Sequence, residues 1–252
     1  MATVHHSSGA PWRNFYGHIK GKTLRPGQEE ALKSDLAQLS PDPVSWTENP
    51  DRTALDLTQM FNASAVWLEI GFGGGEHLVH QAVQNPETGL IGCEPYINGV
   101  AMLLQKIRRA EAQNIRIYPG DARHLFDVLP PASISKAFLL YPDPWPKRRH
   151  HRRRFVTPEH LAPLARVLKP GAEFRVATDI VDYVRQTLLE VPKLVFGNND
   201  TPGVMLSSAA KEYLKVYGVL VGRNPLIFTN NDSGYETAIE FKKNGVDPII
   251  LD

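Results

Sequence analysis

One cysteine, Cys93, stands in a chain of 252 residues. An intrachain disulfide is therefore excluded, and so is a cysteine-built zinc cluster; no metal is expected, and a reducing compartment fits. No run of about 18 apolar residues occurs, so neither a transmembrane helix nor a membrane partner is expected. The first residues carry no apolar signal region and read as polar, with His5, His6, Ser7 and Ser8; cytoplasm is the expected location. No internal repeat or low-complexity segment stands out.

The composition is that of an ordinary globular protein, with 42% hydrophobic and 22% charged residues. A chain of this length buries most of its apolar surface and needs no covalent staples. The formal net charge of +1 hides a contrast. Residues 147 to 154 read KRRHHRRR, with six of the 28 Lys and Arg and no acid. The remainder holds 22 cationic against 27 acidic residues, about −5. A concentrated positive strip on a mildly acidic body points to a specific polyanion surface.

Residues 1 to about 30 are rich in Gly, Pro, Lys and Arg and read as a basic, flexible arm. A helix is expected over Glu29–Leu39, and the three prolines between Ser40 and Asp51 mark a linker. From Val66 the pattern alternates. Strands are expected at 66–70, 89–94, 115–118, 137–141 and 172–178. Between and after them lie expected helices at 76–84, 97–112, 158–168 and 180–191, with Lys169-Pro170-Gly171 as a stop. Such alternation gives right-handed βαβ units, an α/β fold with a doubly wound, mainly parallel sheet. The tail is less regular, with a loop expected over 193–210 and late strands at Ile239–Phe241 and Ile249–Leu251.

The first strand runs into Glu69-Ile70-Gly71-Phe72-Gly73-Gly74-Gly75, a turn that opens a helix. Glycines such as Gly71 and Gly73 let backbone approach a ligand closely. A dinucleotide fingerprint has a third glycine or alanine where this chain has Glu76. A carboxylate there opposes a pyrophosphate and suits a ligand carrying a positive sulfonium and ammonium. Acids also stand at successive strand ends. Glu69 precedes the loop, Glu94 ends the second strand where a carboxylate accepts both ribose hydroxyls, and Asp121 follows the third strand beside an adenine position. Ligands of open α/β sheets sit at these carboxyl ends. Each acid taken singly reads equally as a helix cap; three in register favour the ligand.

The fourth strand ends in Tyr141-Pro142-Asp143-Pro144-Trp145-Pro146. Three prolines fix φ and remove donors, so the chain leaves the sheet as a stiff corner. A rigid acid beside an aromatic face suits a flat base with hydrogen-bonding edges. A plain proline-rich loop with Trp145 as filler is the simpler alternative. The cationic strip follows at once. A charge run is usually a solvated face, but its place beside the corner favours phosphate contacts.

Together these segments resemble the bacterial tRNA (guanine-N7-)-methyltransferase family. The carriers are Phe15 to Gln28, the loop Glu69 to Gly75, the stretch Tyr141 to Arg154 and Ala177-Thr178-Asp179. The resemblance implies a class I methyltransferase, Rossmann-like sheet over residues 51–252, with residues 1–50 as basic N-terminal arm and linker. It implies S-adenosylmethionine as cofactor, tRNA as partner, and methyl transfer to N7 of a guanine in the variable loop (position 46). Carried over by position, Glu69, Gly71, Gly73, Glu94, Asp121 and Asp143 touch the cofactor. Asp143 is also the catalytic acid, and Lys147 and Asp179 contact the substrate. Arg148, Arg152, Arg153 and Arg154 are expected on phosphates. A late family motif of Thr, Lys or Arg, aromatic and Glu is matched by Ser233-Gly234-Tyr235-Glu236, so Ser233, Tyr235 and Glu236 are further substrate candidates. Gly234 lacks the basic residue, and His18 and Ile19 replace residues usually basic in the arm. Three rivals stay open: a methyltransferase for another base or amino group of nucleic acid, a non-catalytic RNA-binding protein with a relic pocket, and a dehydrogenase.

Overall fold

The computed structural model describes residues 13–191, 207–220, 222–229 and 232–251. The chain divides into two compact units, residues 1–187 and 188–252.

The first unit is built on five parallel strands: β1 (Ala65–Ile70), β2 (Thr88–Cys93), β3 (Ile115–Tyr118), β4 (Ile134–Leu140) and β5 (Leu168–Ala177), in the order β3-β2-β1-β4-β5. From β1 the chain first winds outward to β3, then returns to the other side of β1 as β4. The reversal places the topological switch between β1 and β4, where ligands of such sheets bind. β2 is buried along its whole length, as a strand covered on both faces must be.

Helices α1 (Pro26–Ser34), α2 (Leu36–Leu39), α4 (Glu76–Gln84) and α5 (Ile97–Ala110) supply much of the packing; the short α3 (Leu57–Met60) precedes β1. The apolar stripe of α5, with Val100, Leu103, Leu104 and Ile107, is buried against Leu78 of α4, Ala31 of α1 and the strand residues Leu90, Ile115 and Ile117. Arg108 and Arg109 in the last turn of α5 suit the negative end of its dipole, and Arg108 also pairs with Asp35 at the end of α1. α6 (Ala122–Val128) packs on α7 (Pro158–Val167), and α8 (Val181–Glu190) follows β5.

Several expectations shift. The single helix over 29–39 is two, because the chain breaks at Asp35. α6 was not foreseen: its seven residues sit behind Asp121, which reads first as a ligand. Lys169-Pro170-Gly171, expected as the stop between helix and strand, lies instead within β5, which begins at Leu168, and is looped out where the β4–β5 register slips between Ile134↔Leu168 and Lys136↔Glu173. In the second unit α9 (Ser207–Tyr217) replaces the end of the loop expected over 193–210; positions 193–206 lie outside the described residues. Ile239–Phe241 belongs to α10 (Asp232–Lys243), not to a strand, a correction that a short apolar run invites because its periodicity is ambiguous. Ile249–Leu251 is β7, parallel to β6 (Leu226–Phe228). α9 and α10 pack together around Ala210, Leu214 and Phe241. Among the described residues no helix is long and apolar enough to cross a membrane.

Candidate active site

The carboxyl ends of β1, β2, β3 and β4 open into one cavity of about 970 Å3. Gly71, Gly73, Glu94, Asp121 and Asp143 all line it, together with Trp145, Arg152 and Arg153 from the corner and the cationic strip.

The glycine loop forms the near wall. Gly71 and Gly73 hold φ of 71° and 55°, the left-handed region that glycine enters without strain. A side chain at either position would project into open space. That space is the cradle an adenosyl ligand would fill. Gly73 N–H donates to Glu94 Oε2 at 2.9 Å, and Tyr96 N–H donates to Glu94 Oε1 at 2.9 Å. Each oxygen keeps a second lone pair for a ligand hydroxyl. Burial pushes the Glu94 carboxyl up; the two amides pull it back, and nearby Asp143 pushes it further up. These residues fit S-adenosylmethionine: a glycine turn with open space above Gly71 and Gly73, an acid at the end of β2 and an apolar floor of Ile70 and Leu139.

Asp121 caps α6 through Arg123 N–H at 2.9 Å, so the capping reading holds for this acid, and it lines the cavity as well. Its carboxylate also grips the Arg123 guanidinium at 2.6 Å. Burial alone would raise it, but Arg123 outweighs that and holds it below its ordinary value. Arg123, 4% exposed, was missed in the sequence. It joins Asp121 to Glu159 at 2.7 Å and to the Asn14 carbonyl at 2.8 Å. A lone arginine after an acid carries no signal that it is buried.

The N-terminal segment is a wall of this cavity. Asn14 to Gly17, His18, Lys20 and Gly21 line it. Arg13 forks onto Asp127, Ile97 N–H donates to the Ile19 carbonyl, and Asn98 bonds Gly21 N–H and the Lys22 carbonyl. The flexible arm expected from composition is thus pinned along residues 13–22, because the partners that hold it lie far away in sequence. Tyr16 brings its ring edge-on to Trp145, with centroids 6.5 Å apart, and the Arg153 guanidinium lies 4.8 Å and 4.9 Å from the two ring centres.

The corner is strained as well as stiff. Tyr141 and Trp145 hold φ of 49° and 41°, unusual for bulky residues and concentrated at functional sites. Between them Asp143 is exposed to the cavity.

Other expected residues lie elsewhere. Glu69, 3% exposed, does not line the cavity; its carboxylate meets His77 Nδ1 at 2.7 Å. Burial raises its pKa, and His77 draws it back down. Lys147 and Arg148 are exposed, on or beside the 3-10 helix Arg148–Arg153; Arg152, exposed on the same helix, is the one of the three that lines the cavity. Asp179 is exposed at the end of β5. Arg154, also expected on a phosphate, is 1% exposed; its Nε donates to the Pro144 carbonyl, its Nη1 to Gln186, and its Nη2 lies 2.9 Å from Asp182. Ser233, Tyr235 and Glu236 stand on α10 of the second unit, where Glu236 pairs with Lys211 at 2.7 Å. Gly234 is buried there, and a Cβ would meet Thr229 at 2.3 Å, so a larger side chain requires Thr229 or the helix to shift.

Comparison with known proteins agrees with this geometry. A family model described as "Putative methyltransferase" matches residues 63–201. The chain is 69% identical over 191 residues to a tRNA (guanine-N(7)-)-methyltransferase of Ruegeria sp., covering 76% of this chain and 75% of that protein. A Ruegeria pomeroyi protein of the same name is 72% identical over 186 residues, 74% of this chain and 78% of its own length. One from Caulobacter vibrioides is 45% identical over 177 residues, 70% of this chain and 74% of its own.

Proposed function

Since the chain belongs to the tRNA (guanine-N7-)-methyltransferase family, we propose that it carries a methyl group from S-adenosylmethionine to N7 of guanine 46 in the tRNA variable loop. The observation that carries this reading is the convergence of Gly71, Gly73, Glu94, Asp121 and Asp143 on one cavity bordered by arginines.

When bound, S-adenosylmethionine supplies an electrophilic methyl on a sulfonium. Glu94 would accept the ribose hydroxyls, Gly71 and Gly73 would give backbone room, and Asp121 would stand at the adenine edge. Glu69 contributes from behind the wall, tying the end of β1 to α4 through His77. Guanine N7 has an in-plane lone pair, so no residue needs to remove a proton before attack. The task left to the chain is alignment, in which effective concentration and orientation supply most of the rate. The base gains positive charge as the bond forms, and the Asp143 carboxylate would offset it. Trp145 and Tyr16 offer faces for the flat base. Lys147, Arg148, Arg152 and Arg153 would hold phosphates, and Asp179, Ser233, Tyr235 and Glu236 are the remaining substrate contacts. Cytoplasm, where tRNA is found, is the corresponding location.

The test is Asp143→Asn assayed with unmodified tRNA and saturating cofactor. The expected result is a fall in kcat of ~100-fold or more, the scale of losing one charge-stabilising group. Turnover equal to the parent protein would overturn the assignment of Asp143.

A further inference from the structure

Arg154 closes a run in which Lys147, Arg148, Arg149 and Arg152 are exposed, yet it is among the most buried large side chains of the described residues, 1% exposed. Two of its three nitrogens donate hydrogen bonds and the third stands in an ion pair. Nε donates to the Pro144 carbonyl at 2.8 Å, Nη1 to Gln186 Oε1 at 2.8 Å, and Nη2 lies 2.9 Å from Asp182 Oδ2. The guanidinium plane sits 5.2 Å over the Tyr183 ring centre. Gln186 is itself held, donating to the Val156 carbonyl at 2.6 Å. Asp182, Tyr183 and Gln186 are all on α8.

The Pro144 carbonyl belongs to the peptide that follows Asp143 by one residue. The corner around it has little means to hold itself. Pro142, Pro144 and Pro146 have no amide donors, and Tyr141 and Trp145 stand in a backbone region that costs on the order of 1–3 kcal/mol each. Such a conformation persists only when its surroundings fix it. Arg154 provides that from within: it donates to the corner at one end and is gripped by α8 at the other. A planar fork reaches all three partners at once, which an ammonium cannot do.

We propose that Arg154 is a positioning residue for Asp143, fixing the strained corner to α8, and not an RNA contact. The proposal rests on the reading of Asp143 given above. It differs from that reading in what a substitution does. A lost phosphate contact weakens tRNA binding and lowers its salt dependence. A loosened corner misplaces the acid and lowers kcat while tRNA binding stays.

The experiment uses the full chain, with Arg154→Lys, Gln186→Ala, Arg152→Ala and Asp143→Asn beside the parent. The readouts are kcat and KM for tRNA, the salt slope of tRNA binding, and the thermal midpoint. Arg154→Lys keeps the charge but not the fork. It should lose ~10- to 100-fold in kcat, the scale of a misplacement of about 1 Å, with KM within about threefold and the salt slope unchanged. Gln186→Ala removes one anchor only and should lose less kcat in the same pattern; it decides the matter if Arg154→Lys does not fold. Arg152→Ala is the reference for a phosphate contact and should flatten the salt slope by about one. A raised KM and flattened slope with full kcat in Arg154→Lys overturns the proposal, as does kcat equal to the parent in the folded Arg154 or Gln186 variant. Full turnover in Asp143→Asn removes the underlying reading instead, whatever Arg154→Lys does.

Discussion

Gly99, in the first turn of α5, meets the cofactor loop closely enough for one methyl group to test the architecture. A Cβ built there lies 2.2 Å from the Gly73 carbonyl oxygen and 3.1 Å from its carbon, where ordinary contact begins at 3.4 Å. Helix or loop must move by roughly 1 Å, and both sides are backbone, so no rotamer change relieves it. Alanine would gain ~1 kcal/mol in helix propensity, against an overpacking cost toward the upper end of ~1–3 kcal/mol. The net effect of Gly99→Ala is a loss of ~1–2 kcal/mol, or a fall of ~2–8 °C in Tm for a chain of this size. The displaced Gly73 also shifts the Glu94 carboxylate it donates to, so cofactor affinity should fall by about tenfold, equivalent to ~1.4 kcal/mol of binding free energy. Gly27 is the control. Its Cβ would meet only Gln105 Nε2 at 3.7 Å, and Gly27→Ala should stabilise by ~0.5–1 kcal/mol. Scanning calorimetry and titration with S-adenosylhomocysteine read both quantities. Gly99→Ala melting at or above the parent with unchanged affinity would refute the close approach of α5 to the loop.

Two further outcomes follow from the same structure. Glu94 and Asp121 should move stability in opposite directions with pH. Asp121 is held below its ordinary 3.8, so its contribution is whole above that value and lost as pH falls through the lower folded one; Asp121→Asn should flatten the acid limb of a urea-midpoint series below about pH 4. Glu94 is raised above its ordinary 4.5, so its contribution is present below 4.5 and lost as pH rises through the folded value; Glu94→Gln should gain on the parent as pH rises above 4.5, and a gap independent of pH would contradict the burial argument. In the second unit, Gly234→Lys restores the basic residue of the family motif but drives a Cβ into Thr229. It should lower the thermal midpoint and be partly rescued by Thr229→Ala, whereas a neutral effect would show that the helix tolerates the side chain.

The five parallel strands were legible because each is a short apolar run at a spacing that only a wound sheet satisfies. Their edges moved by a few residues, as at β4, which begins at Ile134 rather than Ala137. The cavity-lining acids were legible where they coincide with strand ends, as at Glu94 and Asp121. Burial was not. The eight letters KRRHHRRR look alike in sequence, yet Arg152 is exposed and Arg154 is enclosed by α8. The arm's composition suggested a free segment because Asp127, Ile97 and Asn98, which hold it, come into reach only through the fold. Ile239–Phe241 went wrong for a local reason: three residues cannot distinguish a strand from one face of a helix.

The most direct measurement is nucleoside analysis of unmodified tRNA after incubation with the protein and methyl-labelled S-adenosylmethionine. The account predicts label in 7-methylguanosine alone, with mild base opening the chain at one site in the variable loop. Label in a methylated adenosine, or bound tRNA that acquires none, would contradict it.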